Sequence, residues 1–191
     1  LVLDRQARER YFEDGFLTVP GYVGGAWLDR LRAVVAAKVE ASRALSASDD
    51  QFDLAPDHCA AKPNIRRLRK AVDQHPELWA FARDPAVVDL IADLLGPDLR
   101  FHSSKINFKW SEGGDAVQWH QDIPAWPHTS FSVLTFGVYL EDTAPGQGPL
   151  VAIPGTHRGP LFEQFDDAGR WTGALSAVDA RTLPAERAVE M

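Results

Sequence analysis

The chain has 191 residues, 45% of them hydrophobic, and its 20 Lys and Arg against 27 Asp and Glu leave a formal net charge of −7. That length and apolar share suffice for one sizeable core in a single soluble domain, and no run of about 18 or more apolar residues marks a membrane span. Acidity without a long Lys/Arg block argues against a nucleic acid or an anionic membrane as partner, since both need concentrated positive charge, and leaves a small molecule as the expected one.

Cys59 is the only cysteine, so no intrachain disulfide framework is expected. Leu1 to Asp14 lacks the charged, apolar and small-residue order of a signal peptide, and a cytoplasmic location is the expectation. In chain order, Asp4 to Asp14 reads as a short charged helix, and Gly15 to Pro20 as a strand-like segment closed by Pro20 and Gly21. Leu28, Leu31, Val34, Val35 and Val39 recur at helical spacing and predict a core-facing helix from Gly25 to about Leu45. Ser46 to Pro63 is polar, carries Asp49, Asp50, Asp53 and Asp57, and reads as a loop. Arg66, Arg67, Arg69 and Lys70 form a basic cluster whose plain reading is a solvated face. Asp84-Pro85 then opens a helix with a capping side chain and a first-turn proline, and Gly96-Pro97 stops it after Val87, Val88, Ile91, Leu94 and Leu95.

From Leu99 the character changes from helix to sheet. Phe101 to Lys109, Val117 to His120 and Phe131 to Leu140 are rich in Val, Phe, Tyr and Thr, partly alternate, and are punctuated by Gly and Pro. The pattern predicts an α+β chain: a helical part over about 1–97 packed outside a jelly-roll part over about 98–191.

Within that second part, Trp119-His120-Gln121-Asp122 sets an imidazole and a carboxylate one residue apart. Where the backbone turns out of a strand, alternate side chains come to one rim, so His120 and Asp122 can reach a single cation. The bland alternative is a satisfied surface pair beside a turn. His58, His75, His102 and His128 lack a partner at ligand spacing and read as non-metal.

The two motifs Trp119-His120-Gln121-Asp122 and Gly148-Pro149-Leu150-Val151-Ala152-Ile153-Pro154-Gly155-Thr156-His157-Arg158, in this order and separation, resemble the phytanoyl-CoA dioxygenase family, which includes ectoine hydroxylase. The opening Tyr11-Phe12-Glu13-Asp14-Gly15-Phe16 is similar too, so the resemblance spans most of the chain. It implies a double-stranded β-helix (cupin-like) core and a non-haem Fe(II) enzyme using 2-oxoglutarate and O2. Such an enzyme hydroxylates an unactivated C–H bond of a small molecule while 2-oxoglutarate becomes succinate and CO2. His120 and Asp122 become two of three protein ligands on one face of the iron. Asp122 also separates the chain from the related halogenases, which carry a small residue at that place.

The resemblance places the third ligand, a histidine, and an arginine for 2-oxoglutarate downstream of Met191. Pro184 to Met191 resembles the lead-in to the strand that bears that histidine, so catalytic C-terminal strands are expected to be missing from this chain. His157 is the in-chain alternative as ligand; its other reading is structural, a hydrogen bond to backbone or carboxylate. Gln121, between the ligands, could reach a bound carboxylate or face away. Asn107 matches an asparagine that contacts the co-substrate in the ectoine hydroxylases, or is a strand-edge asparagine. Trp126 matches a pocket-lining tryptophan, or packs. Lys105 could offer charge to 2-oxoglutarate or lie in solvent. Outside this reading stand a differently metallated enzyme on the same barrel and a non-catalytic jelly roll that binds a small molecule.

Overall fold

Residues 1–110, 117–126, 128–144 and 146–191 are described by the computed structural model. They sort into two units, one of Leu1–Val2, Val19–Gly114 and Phe136–Gly148, the other of Leu3–Thr18, Asp115–Thr135 and Pro149–Met191. No helix among the described residues is long and apolar enough to cross a membrane.

The first unit is built around α2 (Gly25–Ser42), whose inward residues Leu31 and Val34 pack with Ala71 and Leu78. Ala71 and Leu78 lie on α3 (Ala71–Gln74) and α4 (Pro76–Ala82), two short helices that carry no long apolar period of their own. α5 (Pro85–Leu95) begins as its sequence dictates: the Asp84 carboxylate accepts the Ala86 N–H at 2.9 Å, satisfying a donor the helix cannot. A three-stranded antiparallel sheet, β1 (Phe52–Leu54), β2 (Ile65–Arg69) and β3 (Lys105–Asn107), completes the unit.

β1 corrects the expected loop over Ser46 to Pro63. Phe52 and Leu54 flank Asp53 with the period of a strand, and Asp49 fixes the entry by accepting the Gln51 and Phe52 N–H groups at 2.8 and 2.6 Å. The basic cluster rides on β2, whose Ile65 and Leu68 are 0% exposed while Arg66 and Arg69 face out. Two inward residues three apart break strict alternation, and the ladder absorbs this by shifting register between Asp53 and Leu54.

The strands expected at Val117 to His120 and Phe131 to Leu140 form no ladder among the described residues, and the Phe101 to Lys109 run contracts to β3. Gly15 to Pro20 likewise makes no strand. Composition reports only that side chains suit a pleated surface; a strand also needs a neighbour to accept its hydrogen bonds. Residues 131–140 keep nearly regular alternation of exposed and half-buried positions. Within the first unit, the Phe136 ring lies 6.4 Å from that of Phe81, and Arg32 Nε donates to the Leu140 carbonyl at 2.6 Å.

The second unit starts with α1 (Arg5–Asp14), whose N-terminal Ala7 N–H is accepted by the Asp4 carboxylate at 2.7 Å. α1 stops at Gly15, which adopts φ +88° and donates back to the Tyr11 carbonyl. β4 (Val151–Ala152) pairs antiparallel with β5 (Val189–Glu190), and a 3₁₀ turn, Thr156–Arg158, follows β4. α6 (Ala177–Ala180) is a single capped turn near the end.

Candidate metal centre

His120 and Asp122 lie in an irregular segment that runs into a 3₁₀ turn, Ile123–Ala125, with Pro124 in its first turn. The proline supplies a fixed φ and no donor, so the chain turns immediately after Asp122. Asp122 precedes this turn without capping it. Its Oδ1 stands 3.4 Å from Nε2 of His120, and the two side chains are 33% and 26% exposed.

The other ring nitrogen explains the orientation. His120 Nδ1 lies 2.8 Å from the Gln118 carbonyl. A carbonyl can only accept, so Nδ1 carries the proton and Nε2 is the nitrogen turned to the carboxylate. The Trp171 ring meets the imidazole edge-on, with centroids 6.3 Å apart.

This pair passes a geometric test for a hard divalent ion. In a six-coordinate shell with bonds of about 2.1 Å, adjacent donors stand about 3 Å apart, close to the observed 3.4 Å separation. Imidazole and carboxylate are also the donor types of the facial triad. Among the described residues, no third His, Cys, Asp or Glu joins them in a metal-sized group.

The residue between the ligands is tied down at every polar atom. Gln121 Nε2 donates to the Pro160 carbonyl at 2.9 Å, and its Oε1 accepts the Phe162 N–H at 2.9 Å. Its own N–H and carbonyl are held by the side-chain amide of Gln164, at 3.1 and 3.2 Å. Gln164 begins a hairpin closed by the Phe165–Trp171 bridge, and Thr172 donates both N–H and hydroxyl to the Gln164 carbonyl at 2.8 and 3.0 Å. At its tip, the Arg170 backbone N–H, then the Arg170 guanidinium, hold the Asp166 carboxyl below the usual carboxylate range. Nothing in the sequence signalled Gln164, a polar residue in an aperiodic stretch; only its 1% exposure reveals it.

The remaining expected residues fall in several places. Trp126 lines a groove of about 200 Å³ with Ile123, Pro124, His128, Thr129, Ser130, Phe131 and Leu161, starting one residue after Asp122. Asn107 and Lys105 stand on β3 in the first unit, where Asn107 Oδ1 accepts the Arg67 Nε–H at 3.1 Å and Lys105 faces Arg69 across the ladder. A larger hollow, about 400 Å³, lies in the same unit beside Trp79 and Phe101, and its histidine, His75, caps α4. His157 sits at the C-terminal end of α1, where its Nε2 donates to the Phe12 carbonyl at 3.2 Å; Arg158 donates to the same oxygen.

The described chain is thus a mixed helix-and-sheet structure that brings an imidazole and a carboxylate, donor types of the facial triad, within 3.4 Å of each other. Its fold is that of EctD from S. alaskensis. The chain matches the crystal structure of EctD with 2-oxoglutarate and 5-hydroxyectoine at a TM-score of 0.76 and 21% identity, over 100% of this chain and 64% of that one. The crystal structure of EctD with bound Fe matches at 0.74 and 19% identity, with the same coverage. The chain belongs to the phytanoyl-CoA dioxygenase family, whose model matches residues 11–189. It is 34% identical over 113 residues to a probable alpha-ketoglutarate-dependent hypophosphite dioxygenase of Stutzerimonas stutzeri, covering 59% of this chain and 39% of that protein. It is 30% identical over 117 residues to the ectoine dioxygenase of Sphingopyxis alaskensis, covering 57% and 38%. The chain thus spans about two fifths of the length of these curated relatives.

Proposed function

We propose that the protein is a non-haem Fe(II), 2-oxoglutarate-dependent dioxygenase that hydroxylates a small molecule, with His120 Nε2 and an Asp122 carboxylate oxygen as two of the iron ligands. The observation that carries this reading is the Gln118 carbonyl on His120 Nδ1, which leaves Nε2 directed at a carboxylate oxygen 3.4 Å away. Membership of the family and the printed activities of its relatives support it. When bound, iron and 2-oxoglutarate supply the oxidation: substrate, O2 and 2-oxoglutarate yield hydroxylated substrate, succinate and CO2.

The residues of this chain set the stage for that exchange. The Gln118 bond locks the imidazole plane, and the Pro124 turn fixes the carboxylate beside it. The Trp126 groove offers an apolar, aromatic wall next to the donor pair and, at about 200 Å³, suits a substrate smaller than a drug-sized ligand. The third ligand lies outside the described residues in this reading. Residues 1–191 act as one oxygenase domain with a double-stranded β-helix core, a reading supported by the family match across both units. Asn107 and Lys105 are co-substrate residues on the resemblance alone, while Gln121, whose amide holds the 160–162 backbone, serves to support that backbone.

The test uses full-length protein with Fe(II), 2-oxoglutarate, O2 and a metabolite pool. Succinate and a product heavier by one oxygen atom are expected, both lost in Asp122→Gly. Undiminished succinate in that variant, or no consumption of 2-oxoglutarate by iron-loaded protein, contradicts the proposal. The latter outcome favours a binding jelly roll.

A further inference from the structure

We infer that Gln164 is a positioning residue for the metal centre: its buried amide grips the backbone of Gln121 on both sides and so sets the angle between His120 and Asp122. This rests on the reading of those two residues as ligands.

Gln164 is 1% exposed, one of three buried polar residues among the described residues. A buried side-chain amide is stable only when its donor and acceptor are both engaged. Here both are engaged by one residue: Oε1 accepts the Gln121 N–H at 3.1 Å and Nε2 donates to the Gln121 carbonyl at 3.2 Å. Backbone partners leave no ambiguity in the amide's orientation, because the N–H must meet oxygen and the carbonyl must meet nitrogen.

A second pair of bonds ties the same two segments. The Gln121 side chain holds the Pro160 carbonyl and the Phe162 N–H, so Gln121 is joined to the 160–164 stretch by four hydrogen bonds. The peptide groups of Gln121 are the only covalent link between the two donor-bearing residues. Fixing both therefore fixes the torsions that decide whether His120 and Asp122 converge, in a segment that has no ladder to do so. The same hairpin returns Trp171 to the edge of the His120 ring and ties Leu175 N–H to the Trp119 carbonyl at 2.8 Å. Groups that orient metal ligands from behind commonly change metal affinity by about 10–100-fold when removed.

The experiment titrates full-length protein with Co(II), whose visible absorption reports ligand geometry, in parallel with thermal unfolding without metal. Gln164→Leu and Gln164→Met both roughly keep the volume and remove both hydrogen bonds, Met with the unbranched shape of the glutamine side chain. Thr172→Val, which deletes a hydroxyl whose one proton is within reach of the Gln164 and Ala174 carbonyls, controls for loosening of the hairpin alone. Co(II) binding is expected to weaken about tenfold or more in both Gln164 variants with an altered spectrum, while Thr172→Val lowers the unfolding temperature and leaves affinity unchanged. If Gln164→Leu does not fold, Gln164→Met decides alone. Wild-type affinity in the methionine variant, or equal weakening in Thr172→Val, overturns the inference. His120→Ala and Asp122→Ala accompany these variants: if they too bind Co(II) as the wild type does, the ligand reading itself has failed, whereas loss there with no change at Gln164 sinks only the positioning role.

Discussion

Gly15 shows how much a single residue can hold. It ends α1 at φ +88°, a conformation that costs an L-residue about 1–2 kcal/mol, and a Cβ added there would lie 2.3 Å from His157 Nδ1. Gly15→Ala must therefore distort the turn and displace the imidazole that donates to Phe12. The expected cost is about 2 kcal/mol, read as a lower midpoint in urea with unchanged slope. Asp166 sets a pH limit on the hairpin behind the donor pair. Its folded pKa is lowered, chiefly by the Arg170 N–H, so its contribution is present above the unfolded aspartate value and lost as pH falls through the lowered one. A carboxylate NMR titration is expected to place Asp166 below the ordinary aspartate value; a midpoint at or above that value would contradict the geometry. The approach of His120 to Asp122 was legible in the sequence because the pair is local, one residue apart. Gln164 was not, because its meaning lies in a contact across 43 residues of sequence.

At the scale of elements, legibility follows the range of the interactions that make each one. α5 could be read because a cap and a helical apolar period are both written in it, α2 from its apolar period, and α1 as a short charged segment between Asp4 and Gly15. α3 and α4 are too short to show a period, and the extended 131–140 segment shows the right one without the neighbour a strand requires. β2 was hidden by its own charge, since three arginines surround the two residues that matter. Leu68 is 0% exposed and packs with Phe52, Leu54 and Ile65. Leu68→Ala is expected to cost about 2–5 kcal/mol in urea unfolding, while Arg66→Ala on the outward face changes stability by less than about 0.5 kcal/mol. Equal effects would mean the sheet does not bury this cluster.

For the whole molecule, the net charge is −7, and the basic residues of β2 are partly answered locally, Arg69 by Asp53 at 3.3 Å and Arg67 by Asn107. In the proposed reading the chemistry falls on His120 and Asp122 of the second unit, braced by the hairpin that Gln164 begins, and the family match gives that reading its context. The most direct measurement is an anaerobic titration of full-length protein with Fe(II) and 2-oxoglutarate, following the visible charge-transfer absorption that forms only when both sit on one centre. The account predicts saturable absorption at one iron per chain, abolished in both His120→Ala and Asp122→Ala. Wild-type absorption in either variant would show that the iron is held elsewhere.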